Sequence, residues 1–312
     1  MHRRQFLQVM GAGLSHVGLR AQTPGSLWGA SVVDCHHHLR PKPEANIAHL
    51  DGCGVSNAMI LARANSAETI QAVRAAYPGR VLGWFASTDI TRPEAGELLE
   101  EAIKKGAIGF GELKFHVAAD GPELRRVYAL AADLDVPVLV HFQEVPHTPT
   151  EGTFATGFKN FEAVLKAYPK TRFIGHADAF WANISAGYSN DAAYPSGPVR
   201  RGGITDKLLS DYANLYGDIS ANSGNNAMSR DPEFTHDFLK RQKSKLIFGS
   251  DCGCTDGKGG GTSQAGNPAA TRLAGKCVAR ETLTLLKNTV APADFRTITW
   301  ENAHRVYRLS AT

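Results

Sequence analysis

Val32-Val33-Asp34-Cys35-His36-His37-His38-Leu39 is an apolar entry into three consecutive histidines, just behind an acidic residue. Read as a β-strand, it places alternate side chains on one face. Asp34, His36 and His38 then share one side, and Val33, Cys35 and His37 the other. Two imidazoles one residue apart on a common face suit a single metal ion, because histidine is the commonest metal-binding side chain. Three solvated loop histidines, or a core histidine bonded to a backbone carbonyl, are the plainer readings. The choice between them falls to the rest of the chain.

Seven further apolar runs follow the first: Val55 to Ala62, Arg80 to Ala86, Ala107 to His116, Pro137 to Phe142, Arg172 to His176, Leu215 to Ser220 and Lys245 to Asp251. Near-continuous Val, Ile, Leu and Phe bounded by Gly or Pro reads as strands covered on both faces. Between them lie stretches of helical character: Ala67 to Ala76, Pro93 to Lys105, Pro122 to Leu134, Phe158 to Tyr168, Ile204 to Tyr212 and Pro232 to Gln242. Pro93, Pro122 and Pro232 fit first-turn positions. Gly121 and Asp231 are the matching cap candidates, with Thr91 capping the third if that helix starts one residue earlier. Eight strands alternating with helices predict an α/β fold, a (β/α)8 TIM barrel with long loops at its C-terminal face. An open doubly wound sheet is the alternative, but no Gly-x-Gly-x-x-Gly follows the first strand. The two long insertions are Ala177 to Gly203, rich in aromatics, and Cys252 to Gly275, rich in glycine. The latter lacks the Gly-Lys-Ser/Thr of a phosphate loop. Loops of such length commonly serve as lids or binding loops.

Polar residues of ligand type stand at the ends of runs that should be wholly apolar: His36 and His38, then Glu112, Lys114 and His116, then His141, His176, Asp218 and Asp251. In a barrel those ends converge on one mouth, where active sites are built. One such histidine is easily structural; a series of them over successive strands points to a site.

Asp34-x-His36-x-His38-Leu39, His141, Gly175-His176 and Phe248-Gly249-Ser250-Asp251 resemble the amidohydrolase superfamily, more narrowly its amidohydrolase-related branch. Ile298 to Tyr307, with its Asn302-Ala303 pair, resembles that branch's closing helix. The resemblance spans Val32 to Leu309. It implies a metal-dependent hydrolase of a small amide, ester or lactone that uses a metal-activated water. The alternatives are a metal-dependent non-oxidative decarboxylase of an unsaturated or aromatic acid, or a non-catalytic ligand-binding relative. It also implies that His36, His38, His141 and Asp251 hold one ion, with His176 an acid/base group or a ligand to a second ion. Asp251 would accept and return the proton. Imidazole and carboxylate donors with an open position suit Zn²⁺, ahead of Mn²⁺, Co²⁺ or Fe²⁺.

On strand four, Glu112 and Lys114 are two apart and share a face. Binuclear relatives carry a bridging carboxylate or carboxylated lysine on this strand, which makes Glu112 a candidate for a second ion. A protonated Lys114 would bind or polarise an acidic substrate with Glu112 as its partner; an internal ion pair is the plainer role. Arg40, just past the first motif, is a further candidate for binding an acidic substrate. Asp218 is expected to bond its own turn, and Phe180 and Trp181 either wall the pocket or pin their loop.

The overall charge of +4 arises from 34 basic and 30 acidic residues. Setting aside Arg3, Arg4 and Arg20 leaves the remainder nearly neutral, so neither nucleic acid nor a membrane surface is an expected partner. Those arginines belong to an N-terminal stretch, Met1 to Leu14, that resembles a twin-arginine export signal, Arg-Arg-x-Phe-Leu. Residues 1–25 are therefore expected to be a signal peptide, residues 26–312 the catalytic domain, and the location periplasmic or secreted. An uncleaved amphipathic first helix is the alternative. Five cysteines, Cys35, Cys53, Cys252, Cys254 and Cys277, are no disulfide framework in a chain this long. Cys252-Gly253-Cys254 has no second Cys/His pair at finger spacing and is too isolated to read as a zinc knuckle.

Overall fold

The computed structural model describes residues 27–261 and 272–309. The expected signal peptide lies outside them. Eight parallel strands run in sequence order around a nearly closed barrel, each paired with the next. The first half comprises β1 (Val33–His38), α1 (Pro43–Cys53), β2 (Asn57–Arg63), α2 (Ala67–Ala76), β3 (Val81–Ser87), α3 (Ala95–Lys104), β4 (Gly109–Leu113) and α4 (Pro122–Asp133). The second begins with β5 (Val138–His141), α5 (Phe161–Ala167), β6 (Phe173–His176), α6 (Asp178–Ala182) and α7 (Ile204–Asp211). It continues with β7 (Leu215–Ile219), α8 (Ala221–Ser229), α9 (Pro232–Gln242), β8 (Leu246–Phe248) and α10 (Val278–Thr289). The closing helices are α11 (Pro292–Arg296) and α12 (Asn302–Tyr307), joined by a π-helical turn.

Alternation along the strands builds two cores. Val33, Cys35, Met59, Leu61, Phe85, Leu139, Ile174, Tyr216 and Ile247 fill the barrel, and Tyr307 of α12 packs beneath them. The residues between, such as Ile60, Trp84, Phe110, Val140, Phe173 and Phe248, meet the helices outside. Phe180 and Trp181 belong to this outer layer, fully buried, so they pin the long loop rather than wall a pocket.

Two local expectations change. Pro93 does not open α3, which begins at Ala95. The Thr91 hydroxyl and amide both bond Asp89, at 2.6 and 3.1 Å, and this side-chain turn takes the residue expected as a cap. Asp231 does cap α9, accepting from the Phe234 amide at 3.1 Å.

The larger change is on β1. Its pairing with β2 shifts register between Asp34 and His37, and the strict alternation expected there is broken. Asp34 consequently does not share a face with His36 and His38. It lies on the outer side near His37, 3.8 Å from its Nδ1. There Asp34 joins the last strand to the first: Oδ1 accepts from the amides of Ser250 and His36 at 2.8 and 3.0 Å, and Oδ2 from the Ser250 hydroxyl at 2.5 Å. The Asp251 amide donates to the His36 carbonyl at 2.8 Å, completing the seam.

Burial pushes the Asp34 carboxyl up, but the His37 imidazole beside it and hydrogen bonds from Ser250 outweigh it and bring the pKa down from 3.8 to about 2. A carboxylate lowered in the folded state contributes stability above its unfolded pKa, lost as pH falls through the folded one. Denaturant unfolding followed from pH 5 to pH 2 is expected to show about 2 kcal/mol of loss from this group. Asp34→Asn is expected to be less stable at neutral pH and to lack that part of the slope. An unchanged slope would contradict the role of the seam carboxylate.

Candidate metal centre

The strand ends bring His36, His38, Glu112, His141, His176 and Asp251 to one mouth. β5 and β6 pair His141 directly with His176. Glu112 is raised into the centre by a second register shift, between Phe110 and Leu113 on β4. Its two oxygens face different imidazoles. Oε2 lies 3.7 Å from His36 Nε2 and 3.5 Å from His38 Nε2, while Oε1 lies 3.5 Å from His176 Nε2 and bonds His141 Nδ1. Asp251 stands across from it, Oδ1 at 3.3 and 3.8 Å from Nε2 of His38 and His36, and Oδ2 at 3.7 Å from His176 Nε2.

Behind the ring, hydrogen bonds set which nitrogen carries the proton. His36 Nδ1 lies 2.6 Å from Asp218 Oδ2, so Nδ1–H donates and Nε2 keeps its lone pair toward the centre. His36 Nε2 is buried and has no hydrogen-bond partner. The Ser220 hydroxyl donates to Asp218 Oδ2 at 2.9 Å and accepts from His176 Nδ1 at 2.8 Å, which leaves His176 Nε2 free in the same way. His141 is reversed: Nε2 lies 2.8 Å from Gln143 Oε1, so Nδ1 faces Glu112. The Gln143 amide is itself oriented by donating to Glu151 Oε2 at 2.9 Å. Trp181 Nε1 donates to the Asp218 carbonyl at 2.8 Å and steadies that strand end from outside. Gly249 permits the close approach of β1 and β7, since a Cβ there would stand 2.6 Å from both Asp218 Oδ1 and His36 Cβ.

The charges reinforce the geometry. Burial pushes the Glu112 carboxyl up, but His141, with His36 and His38, holds it well below the usual range. Asp251 is likewise lowered by His36 and His38 against its burial. In return Asp251 and Asp218 raise His36 although burial opposes it, and Asp251 and Glu112 bring His38 up to about 9. His176 goes the other way, lowered by burial and by His36 beside it. The mouth therefore demands positive charge between its carboxylates, and without a cation the β1 imidazoles supply it as protons. Three lone pairs fixed inward on a pair of carboxylates fit a divalent metal, whose binding displaces such protons.

Other expected residues are placed differently. Lys114 lies beyond the end of β4 and is 38% exposed; its partner is Glu151, at 3.3 Å, and not Glu112. β4 ends at Leu113, so strand alternation no longer governs where Lys114 points. His116 bonds the Thr153 carbonyl and stacks on Phe154. Arg40 turns its guanidinium to the Cys252 carbonyl at 2.9 Å, bracing the loop after β8. Asp218 bonds Ser220 in its own turn, as expected, but also carries His36. Ser220 and Gln143 had no signal of their own in the sequence beyond standing two residues past Asp218 and His141.

A family model described as amidohydrolase matches residues 33–309. The chain belongs to the amidohydrolase family. No curated protein matches the sequence. Among solved structures, a probable 2-pyrone-4,6-dicarboxylic acid hydrolase from Acinetobacter baumannii, with citric acid bound, is 13% identical. The match covers 89% of this chain and 100% of that one at a TM-score of 0.55. A 2,6-dihydroxybenzoate decarboxylase from Rhizobium is 12% identical over 89% and 98% of the two chains, at a TM-score of 0.52. An amidohydrolase from Burkholderia multivorans with bound HEPES is 14% identical over 90% and 100%, at 0.56. At such identities the likeness is one of fold.

Within this amidohydrolase, Asp218 orients a nitrogen rather than touching the centre. Asp218→Asn is expected to fold and to lose about 10- to 100-fold in divalent-metal affinity, measured by competition with a chelating dye. Unchanged affinity would show that the imidazole orientation is set elsewhere.

Proposed function

We propose that the protein is a metal-dependent hydrolase of a small ester, lactone or amide, and that Glu112 stands between two ions. The observation that carries the reading is the division of one carboxylate: Oε2 toward His36 and His38, Oε1 toward His141 and His176. His36, His38 and Asp251 with Glu112 would hold one ion, and His141 and His176 with Glu112 the other. This departs from the single set of His36, His38, His141 and Asp251 that the resemblance implied and takes up its candidates for a second ion, Glu112 and His176. His36, His38 and Glu112 form one compact group of ligand atoms, Glu112, His141 and His176 another, and His36, His176 and Asp251 a third that links the two. Nitrogen and oxygen donors of this kind suit Zn²⁺.

A bound divalent ion supplies polarisation of a carbonyl oxygen and acidification of water. The protein's own groups do the rest. Asp251, with its side chain 29% exposed at the mouth, takes the proton of the attacking water on a carboxylate oxygen and returns it to the leaving group. His36 and His38, the latter 53% exposed on the open side, hold that carboxylate ionised through the approach. Asp218, Ser220 and Gln143 keep three imidazoles in one tautomer. Lys114 over the Phe154 ring, its charge partly met by Glu151, offers a site for an acidic substrate group at the rim.

The test is a panel of lactones, esters and amides of small acids, run with the zinc-loaded protein beside a carbon dioxide assay on aromatic and unsaturated acids. Hydrolysis of a panel member without carbon dioxide release is expected. Glu112→Ala is expected to lower kcat/KM by more than about 100-fold, beyond the loss of an orienting partner, and to reduce the metal count at the mouth. Release of carbon dioxide with no hydrolysis would assign the decarboxylase reaction instead.

A further inference from the structure

A second cluster of soft ligands lies outside the barrel mouth. Cys252 and Cys254 follow Asp251 on the loop after β8, Cys277 is the residue that precedes α10, and His49 sits within α1. His49, Cys252, Cys254 and Cys277 offer one ligand atom each, all within 4.8 Å of one another. We infer that these four side chains form a structural zinc site that fastens the Asp251 loop to α1 and α10. The site is independent of the ions at the mouth.

Three of the six edges between these ligand atoms lie near those of a tetrahedron, the Cys252–Cys254 edge being the short one. Zn–S bonds of about 2.3 Å and Zn–N bonds of about 2.0 Å set S···S edges near roughly 3.8 Å and S···N edges near roughly 3.5 Å. Here Cys252 Sγ is 3.3 Å from Cys254 Sγ and 3.9 Å from Cys277 Sγ, and Cys254 Sγ is 3.5 Å from His49 Nδ1. All three cysteines are free. Cys254, Cys277 and His49 are buried, and His49 Nδ1 also lies 3.1 Å from the Cys254 carbonyl, a contact that zinc binding would exchange for the ion. His49 Nε2 is buried without a hydrogen-bond partner, while Asp34, His37 and His49 offer atoms within 4.8 Å of one another. A carboxylate behind a zinc-binding histidine is the usual second contact of such sites. Three thiolates on Zn²⁺ carry net negative charge, and two arginines brace the surrounding backbone. Arg40 donates to the Cys252 carbonyl at 2.9 Å, and Arg280 to the Gly52 carbonyl at 2.8 Å.

The backbone is arranged for this closeness. A Cβ on Gly52 of α1 would stand 1.7 Å from the Asp256 carbonyl oxygen. One on Gly257 would stand 2.2 Å from the His49 carbonyl oxygen. The loop therefore lies on α1 at glycine contacts, bringing two cysteines over His49. Sequence spacing hid the site because its third and fourth ligands come from a helix some two hundred residues upstream and from a helix start beyond the glycine-rich segment.

The experiment counts metal and reads its ligands. A His36→Ala, His38→Ala double variant, weakened at the mouth, is expected to retain one tightly held zinc per chain. Exchange of that ion for Co²⁺ should give the intense near-ultraviolet thiolate-to-cobalt charge-transfer band, which the nitrogen and oxygen donors of the mouth cannot produce. Cys254→Ser is expected to abolish the band; if it fails to fold, Cys277→Ser and the spectrum of the cobalt-loaded wild type decide. Absence of the band in the cobalt-loaded wild type would overturn the site. So would an intact mass lower by two hydrogens, showing a disulfide among these cysteines. Failure of the mouth to bind metal would leave the band unaffected, so the two readings fail separately.

Discussion

Glu112, almost buried, and Asp251, partly exposed at the mouth, are two carboxylates facing the same histidines, and their mutual repulsion must be answered by positive charge placed between them. Asp251 is lowered by His36 and His38 even though Glu112 pushes it the other way. The rest of the mouth follows from this constraint. Imidazoles converge on the pair from β1, β5 and β6, and Asp218, Ser220 and Gln143 fix the proton of His36, His176 and His141 on the far nitrogen. A barrel can present such a set because its strand ends converge whatever their separation in sequence.

Most of the fold was legible from periodicity. Eight apolar runs with intervening helical stretches describe this barrel, and the limits of α2 and α9 follow the sequence closely. Of the helices that escaped notice, α10 carries an apolar stripe of Val278, Leu283 and Leu286, whereas α8 has none. Ala221 to Ser229 is mainly Asn, Ser, Gly and Ala, and forms a helix because its buried side packs against the barrel. Histidines and acids at strand ends identified the mouth. What periodicity could not describe was which way each of them points.

That gap has one cause in two places. β1 shifts register at Asp34 to His37, and β4 at Phe110 to Leu113. A shift of one residue moves a side chain to the other face, so alternation misassigns its neighbours. Asp34, which alternation groups with His36 and His38, instead ties β8 to β1 from outside. Lys114, which alternation groups with Glu112, lies past the end of the strand at Leu113 and pairs with Glu151 at the rim. The irregular strands are the ones that carry the paired histidines and the central carboxylate. A regular strand would bury these side chains in the barrel or turn them to the helices, and the bulge is what lifts them to the mouth. The loop after β8 repeats the lesson at longer range, since its cysteines meet partners that no local spacing connects.

In the proposed centre, Glu112 divides its oxygens between two ions. Anomalous diffraction at the zinc edge, from crystals of the metal-loaded protein, tests it most directly. Two peaks at the mouth are predicted, one beside His36, His38 and Asp251, the other beside His141 and His176, with the Glu112 carboxylate between them. A single peak held by His36, His38, His141 and Asp251, with Glu112 standing clear of it, would contradict the account.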